Sequence, residues 1–178
     1  MKNMVSKIKI IGRENAADIN IKNEAFQRFG HMVPTYQNDQ WSYTIRESEA
    51  VTWQCFPDEH YDFESMERDF VFIGAYVDEV CVGLAVLENQ WHKYMYLSDL
   101  KVNSAWRRQN IASRILDEAC RYAYGKGYRG IWTIGQDNNP GACLFYIKNG
   151  FRIGGLDTEV YTGTNQEGKK NIYFYKDA

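Results

Sequence analysis

Only three prolines and four cysteines occur among the 178 residues, and Cys55, Cys81, Cys120 and Cys143 form no Cys-x-x-Cys pair. That spacing speaks against a zinc site or a disulfide framework, so no metal is expected and a reduced, cytoplasmic setting is. No apolar run nears the roughly 20 residues that cross a bilayer; the longest are Phe70–Val77 and Val80–Leu87. Residues 1–12 carry three lysines, but their apolar stretch is too short for a secretory signal, and no membrane partner is expected. Net charge is also scarce. The 21 Lys and Arg nearly balance 23 Asp and Glu, which disfavours a nucleic-acid partner. What remains is an ordinary globular composition, 44% hydrophobic and 25% charged, at the length of one domain. The expectation is a single domain over 1–178, its core at about 70–155.

The charge is unevenly spread. Asp58, Glu59, Asp62, Glu64, Glu67 and Asp69 are broken by one base, Arg68. Seven bases between Lys101 and Arg129 face only Asp117 and Glu118. One segment suits a cation and the other an anion, although both also fit plain solvated faces.

Two apolar, β-rich runs, Phe70–Val77 and Val80–Leu87, flank Asp78 and Glu79, which predicts a tight hairpin. Their continuous apolarity suggests a sheet covered on both faces. A third strand is expected over Tyr94–Val102. Ile111–Tyr124 reads as a helix, since Ala112, Ile115, Leu116, Ala119, Cys120 and Ala123 share one face. A short strand, Gly130–Ile134, precedes a second helix that Asn139 can cap, Pro140 can open and Gly150 can end. Two strands, Phe151–Ile153 and Asn171–Tyr175, close an α/β chain. Before residue 65, a helix around Asn20–Phe29 and irregular structure after it are expected.

The hexapeptide Arg107-Arg108-Gln109-Asn110-Ile111-Ala112 feeds the amphipathic helix. Backbone N–H groups at a helix start, with two arginines beside them, suit a phosphate or pyrophosphate. The same residues also fit a solvated basic turn. In the second helix, Asn139, Ala142, Phe145, Tyr146, Gly150 and Phe151 follow the spacing N-x-x-A-x-x-F-Y-x-x-x-G-F. Phe145 is most simply core, and Tyr146 lies about 100° round the helix, where its hydroxyl could reach a cleft. A plain cap and a half-buried aromatic are the other readings of Asn139 and Tyr146.

Together these segments resemble the GNAT superfamily of acetyl-coenzyme A-dependent N-acetyltransferases. Arg107 and Ala112 match its phosphate-loop pattern, and Asn110 stands where the family usually has Gly. Asn accepts positive φ better than most residues. Over most of the chain the resemblance is closer to the streptothricin acetyltransferases. It is carried by Val33-Pro34-x-Tyr36 with Trp41, Trp91-x-x-Tyr94-x-Tyr96, Asp99-Leu100-x-Val102, Gln136-Asp137-Asn138-Asn139, and Asp157-Thr158 with Tyr161.

The resemblance implies the GNAT fold, a mixed central sheet flanked by helices, with acetyl-CoA in a V-shaped cleft. The pantetheine arm would run along Leu100, Lys101 and Val102. The pyrophosphate would sit on Arg107, Arg108, Gln109, Asn110, Ile111 and Ala112, with Asn139 and Tyr146 completing the cofactor site. A backbone N–H near Leu100 would serve the oxyanion, and Tyr146 would protonate the departing thiolate.

No Glu stands at the strand positions, 96 and 98, where relatives keep a base. Asp99, a water chain or a carboxylate of the acidic segment are the alternatives. Strand alternation points Asp99 away from the face of Ser98 unless a bulge re-aims it. A cationic amine, streptothricin with its β-lysine or another amine, would be held by Asp58, Glu59 and Asp62, with Trp41, Tyr43 and Trp91 as cation–π faces. A coenzyme A-binding sensor without catalysis is the reading from another class. His31, His60 and His92 show no local pairing and read as incidental. The Tyr-rich last strand could pair two copies.

Overall fold

The computed structural model describes residues 7–178; half of the segment weighed above as a leader, residues 1–6, lies outside the described residues. In chain order the strands and helices are β1 (Lys7–Ile10), β2 (Phe26–Gln37), β3 (Gln40–Gln54), α1 (Phe63–Met66), β4 (Phe70–Val77), β5 (Val80–Glu88) and β6 (Tyr94–Val102), then α2 (Ile111–Gly125), β7 (Gly130–Gln136), α3 (Pro140–Lys148), β8 (Arg152–Asp157) and β9 (Asn171–Asp177). Short 3-10 helices occupy Arg13–Asn20 and Ser104–Trp106. The chain divides into two units, one of residues 1–24, 56–131 and 178, the other of residues 25–55 and 132–177.

In the first unit the strand order is β1-β4-β5-β6, each neighbour antiparallel. The expected hairpin forms between Phe70 and Glu88. Its turn residues, Asp78 and Glu79, both take positive φ (48° and 64°), the handedness that matches strand twist. One face of the sheet carries Phe72, Tyr76, Leu84 and Val86, packed with Ile11 and Ile19. Fully burying each of these contributes about 1.5–3 kcal/mol. The other face receives α2. A Cβ on Gly83 would stand 2.9 Å from Ile115 Cδ1 and 3.3 Å from Val102 Cγ2, so the helix seats there through the missing side chain. Of the predicted apolar stripe of α2, Ile115, Leu116, Ala119, Cys120 and Ala123 are buried and Ala112 is partly exposed.

The second unit holds strands in the order β7-β9-β8, the helix α3, and a separate hairpin of β2 and β3. This hairpin corrects the expectation for the first 65 residues. The helix expected around Asn20–Phe29 is absent: the 3-10 helix ends at Asn20, Ile21 is extended, and β2 begins at Phe26. Asn38 and Asp39 close the hairpin with positive φ of 52° and 59°, a turn whose side chains tolerate that region. Gly30 lets the strands meet, because a Cβ there would fall 2.2 Å from the Arg46 carbonyl oxygen.

Candidate active site

Strand β6 carries Asp99, Leu100, Lys101 and Val102, four of the residues singled out from the sequence. Opposite β5, Val86 pairs with Asp99 and Leu87 with Leu97, so Ser98 is an extra residue and the strand bulges there. The Ser98 hydroxyl donates to the Val86 carbonyl at 3.3 Å and holds the bulge. Beyond it, Val102 turns to the α2 face, while Asp99 and Lys101 share the face of Val86 and Leu84. The bulge considered from the sequence is present. It directs Asp99 into a polar cluster.

In that cluster the Lys101 ammonium lies 2.9 Å from Asp99 Oδ2 and 2.7 Å from Glu59 Oε2, and donates to Asn23 Oδ1 at 3.0 Å. The Tyr61 hydroxyl donates to Asp99 Oδ2 at 3.0 Å. Asn23 binds back to the segment after residue 56, through Asp58 Oδ1, the Pro57 carbonyl and Glu59 Oε1. Burial pushes the Asp99 carboxyl up, more than the Lys101 charge and hydrogen bond pull it down. Burial also opposes the Lys101 ammonium, yet Asp99 and Glu59 together hold it above its ordinary value. For Glu59 the bonds from Asn23 and Lys101 outweigh burial and lower its pKa. Burial, then the charges of Asp99 and Glu59, raise the Tyr61 phenol. Asp99 is therefore a buried carboxylate held between the Lys101 ammonium and the Tyr61 hydroxyl.

The loop between β6 and α2 is built from its own side chains. Asn103 Oδ1 accepts from Ala105 N at 3.1 Å and opens the 3-10 turn. Arg107 Nε donates to the Val102 carbonyl at 3.0 Å, and its outer nitrogen pairs with Glu24 at 3.4 Å. Glu24 also accepts from the Ser104 N–H and hydroxyl. Arg107 thus shapes the loop, and Arg108 stands exposed with φ of 60°. Asn110 precedes α2 in the left-handed region (φ 62°, ψ 14°), as expected of a residue standing for Gly. The first intrahelical bond runs from Arg114 N to the Asn110 carbonyl. The N–H groups of Ile111, Ala112 and Ser113 therefore face outward at the positive end of the helix dipole, an arrangement that fits a pyrophosphate.

The second unit builds the β7–α3 turn. Gly135 lies so close to α3 and β9 that a Cβ would sit 2.9 Å from Cys143 Sγ and from Phe174 Cε2. Asn139 caps α3 as predicted, its Oδ1 accepting from Ala142 N at 3.2 Å, with Pro140 at the first position. Gly150, with φ of 85°, ends the helix, and the Lys176 ammonium donates to the Asn149 carbonyl at 2.6 Å. The Tyr146 ring is half-buried against Phe151, Phe174 and Phe145 at centroid distances of 5.3, 5.4 and 5.8 Å.

Comparison with known families decides the class. The Acetyltransferase (GNAT) family model matches residues 33–151. The chain belongs to the GNAT acetyltransferase family. Among curated relatives, this acetyltransferase is 28% identical over 165 residues to streptothricin acetyltransferase A of Bacillus subtilis (strain 168), covering 90% of this chain and 94% of the relative. A streptothricin acetyltransferase of Escherichia coli is 27% identical over 113 residues, 63% of this chain and 65% of that one. The fold matches the crystal structure of a candidate streptothricin acetyltransferase from Bacillus anthracis str. Ames, in complex with acetyl coenzyme A, with a TM-score of 0.86 at 23% identity over 98% of both chains. A nourseothricin acetyltransferase structure matches with a TM-score of 0.78 at 21% identity over 97% of this chain and 98% of that one.

Several of the acetyltransferase's sequence-predicted residues are already engaged. Glu59 serves Lys101 and Asn23, Asp58 accepts from the Asn23 N–H, and Asp62 caps α1 through Ser65 N at 3.2 Å. Gln109 donates to the Ala105 carbonyl at 3.4 Å. Trp41 packs on Tyr36 with ring centroids 4.9 Å apart, Tyr43 is exposed on β3, and Trp91 is 93% exposed before β6. Glu24, Asn23 and Tyr61 were not singled out from the sequence. Each lies far along the chain from its partners, and no local pattern signals it. Among the described residues no group of three or more His, Cys, Asp or Glu could hold a metal, and no helix is long and apolar enough to cross a membrane.

Proposed function

We propose that this acetyltransferase acts as one domain that moves an acetyl group from acetyl-CoA to a primary amine of a small cationic acceptor, with the β-lysine amine of streptothricin as the first candidate. The observation that carries the acceptor class is the correspondence with streptothricin acetyltransferase A, which runs through the β2–β3 hairpin and the acidic segment as well as the common core. The donor rests on the outward N–H groups behind Asn110 and on the loop that Arg107 and Glu24 hold in shape.

In this reading the pantetheine follows Leu100 to Val102, and a backbone N–H near Leu100 stabilises the oxyanion, where loss of one such donor costs about 10²–10³ in rate. Tyr146, at the family's position for the general acid, protonates the thiolate. Asp58, Glu59 and Asp62 keep free lone pairs beside their protein donors and draw the acceptor's ammonium groups. Four free cysteines fit a cytoplasmic setting. Mass spectrometry of streptothricin after incubation with the protein and acetyl-CoA tests the proposal. One acetyl group on the β-lysine is expected. An unmodified antibiotic, with another amine acetylated instead, would replace the acceptor while keeping the chemistry.

A further inference from the structure

The hairpin of β2 and β3 is a two-stranded sheet of its own. Such a ribbon is marginal by itself, and three or more strands are the usual minimum. Its two edges differ. Along β2, Met32 N donates to the Asp137 carbonyl at 2.9 Å, and Pro34 has no N–H to offer. Along β3, among the described residues, no backbone hydrogen bond reaches any element but β2. None of the 15 residues of β3 is buried, and only Trp41, Ile45 and Gln54 are partly covered. The Met32 bond also fixes which groups β3 presents. Met32 spends its N–H on Asp137, so Met32 and Ile45 form a non-hydrogen-bonded pair. Pro34, opposite Tyr43, fits the same alternation, since it lacks a donor for β3. The N–H and C=O groups of Trp41, Tyr43, Ile45 and Glu47 therefore face the open edge. Pairing with β2 is unbroken over residues 40–47, and beyond them residues 48–51 stand against Phe29 alone. That unbroken run holds neither lysine nor proline, which commonly blunt a free edge, and its two charges, Arg46 and Glu47, are opposite in sign. Trp41, Tyr43 and Ile45 share a face with Tyr36, Pro34 and Met32, and exposure climbs from 1% at Met32 to 37% at Tyr43 and 56% at Tyr36. The apolar face runs on past what covers Met32.

We propose that the free edge of β3 pairs with the same edge of a second copy of this chain, making a four-stranded antiparallel sheet across a two-fold axis. Such an axis, perpendicular to the sheet, sets one residue opposite itself and exchanges its neighbours in pairs. Centred on Thr44, it brings Tyr43 of each copy opposite Ile45 of the other, and Trp41 opposite Glu47. These are the residues whose backbone groups face the edge, so each pair exchanges its N–H···O bonds. On the other face Thr44 meets Thr44, and Ser42 meets Arg46. Aromatic–β-branched and Thr–Thr pairs are among those that stabilise antiparallel sheets, and no like charges stand opposed. A centre at Arg46 or Glu47 would instead set a like charge against itself. The last strand, β9, expected from its tyrosines to pair two copies, has β7 on one side and β8 on the other and so no free edge. The pairing is independent of the transfer chemistry above.

Sedimentation equilibrium on the full chain tests this, and the mass of two chains is expected. Thr44 is exposed in a single copy, so Thr44→Lys leaves the fold intact by circular dichroism. In the pair it sets two ammonium groups face to face on the axis and should raise the dissociation constant about ten-fold. Ser42→Glu, which places a carboxylate opposite Arg46 twice, should lower that constant several-fold. The opposite signs separate a paired edge from general damage. Thr44→Cys, made with Cys55→Ser to remove the exposed native thiol, should cross-link to its own copy under mild oxidation. Facing Cα atoms of a non-hydrogen-bonded pair stand about 4.5 Å apart, within the range a disulfide spans. Thr35→Cys, on β2 away from the axis, should not cross-link. The mass of one chain at every concentration overturns the proposal. A dimer that ignores Thr44→Lys, or that Thr44→Cys fails to capture, overturns it as well, because the interface then lies elsewhere.

Discussion

The Lys101 ammonium lies 2.9 Å from the Asp99 carboxylate and 2.7 Å from that of Glu59, joining strand β6 to the segment after residue 56. One cation therefore answers two carboxylates at a site where both Lys101 and Asp99 are largely buried.

Removing that cation should be costly. Lys101→Met strands a buried carboxylate, and breaking such a pair costs about 3–5 kcal/mol, on the order of 10 °C in Tm for a domain of this size. Because the folded-state pKa of Lys101 is raised above its ordinary 10.5, its contribution is complete below that value and is lost as pH rises through the folded pKa. The Tm gap between wild type and variant should hold from neutrality to about pH 10 and close above it. Burial already raises Asp99, so its protonated form favours folding. Without Lys101 that rise grows, and the variant should regain stability towards acid. Thermal melts across pH read both limbs.

Asn110 holds φ of 62° at the start of α2. Asn110→Ala keeps the β-carbon but removes the short polar side chain that lets a non-glycine residue hold the left-handed region, at a cost of about 1 kcal/mol, and acetyl-CoA binding should weaken up to about ten-fold. Asn110→Gly should bind as well as wild type. Calorimetric titration of the two variants separates backbone conformation from any direct amide contact.

Gly135→Ala should lower Tm, because the new methyl group falls within 2.9 Å of both Cys143 Sγ and Phe174 Cε2. Overpacking of this kind costs about 1–3 kcal/mol. Restored stability in the double variant with Cys143→Ala would identify the clash.

Tyr146→Phe keeps the ring that packs on Phe151 and Phe174 and deletes only the hydroxyl. If the phenol protonates the leaving thiolate, kcat should fall about 10²-fold, with the KM for acetyl-CoA little changed. Steady-state kinetics would show it, and an equal kcat would remove the role.

The region from Phe70 to Phe151 was readable because its signals are physical and local. Phe70–Val77 and Val80–Leu87 are continuously apolar since both their faces are covered, and Asn139, Pro140 and Gly150 punctuate α3 at the positions a helix end requires. The β2–β3 hairpin was not readable. Most of β3 is exposed on both faces, so no alternation marks it, and Gly30 and Pro34 interrupt β2. The left-handed turn before α2 could be seen in Asn110, although the loop-shaping work of Arg107 depends on Glu24, 83 residues away. His31 and Asp137 stand 106 positions apart, and a histidine with a distant partner reads as solitary in one sequence.

The most direct test of the account is thiol release from acetyl-CoA by the purified protein, measured with streptothricin, with a polyamine and with no amine. Release that depends on amine and is fastest with streptothricin is the predicted result. Tight uptake of acetyl-CoA with no thiol released in any arm would contradict it and leave a coenzyme A-binding protein without catalysis.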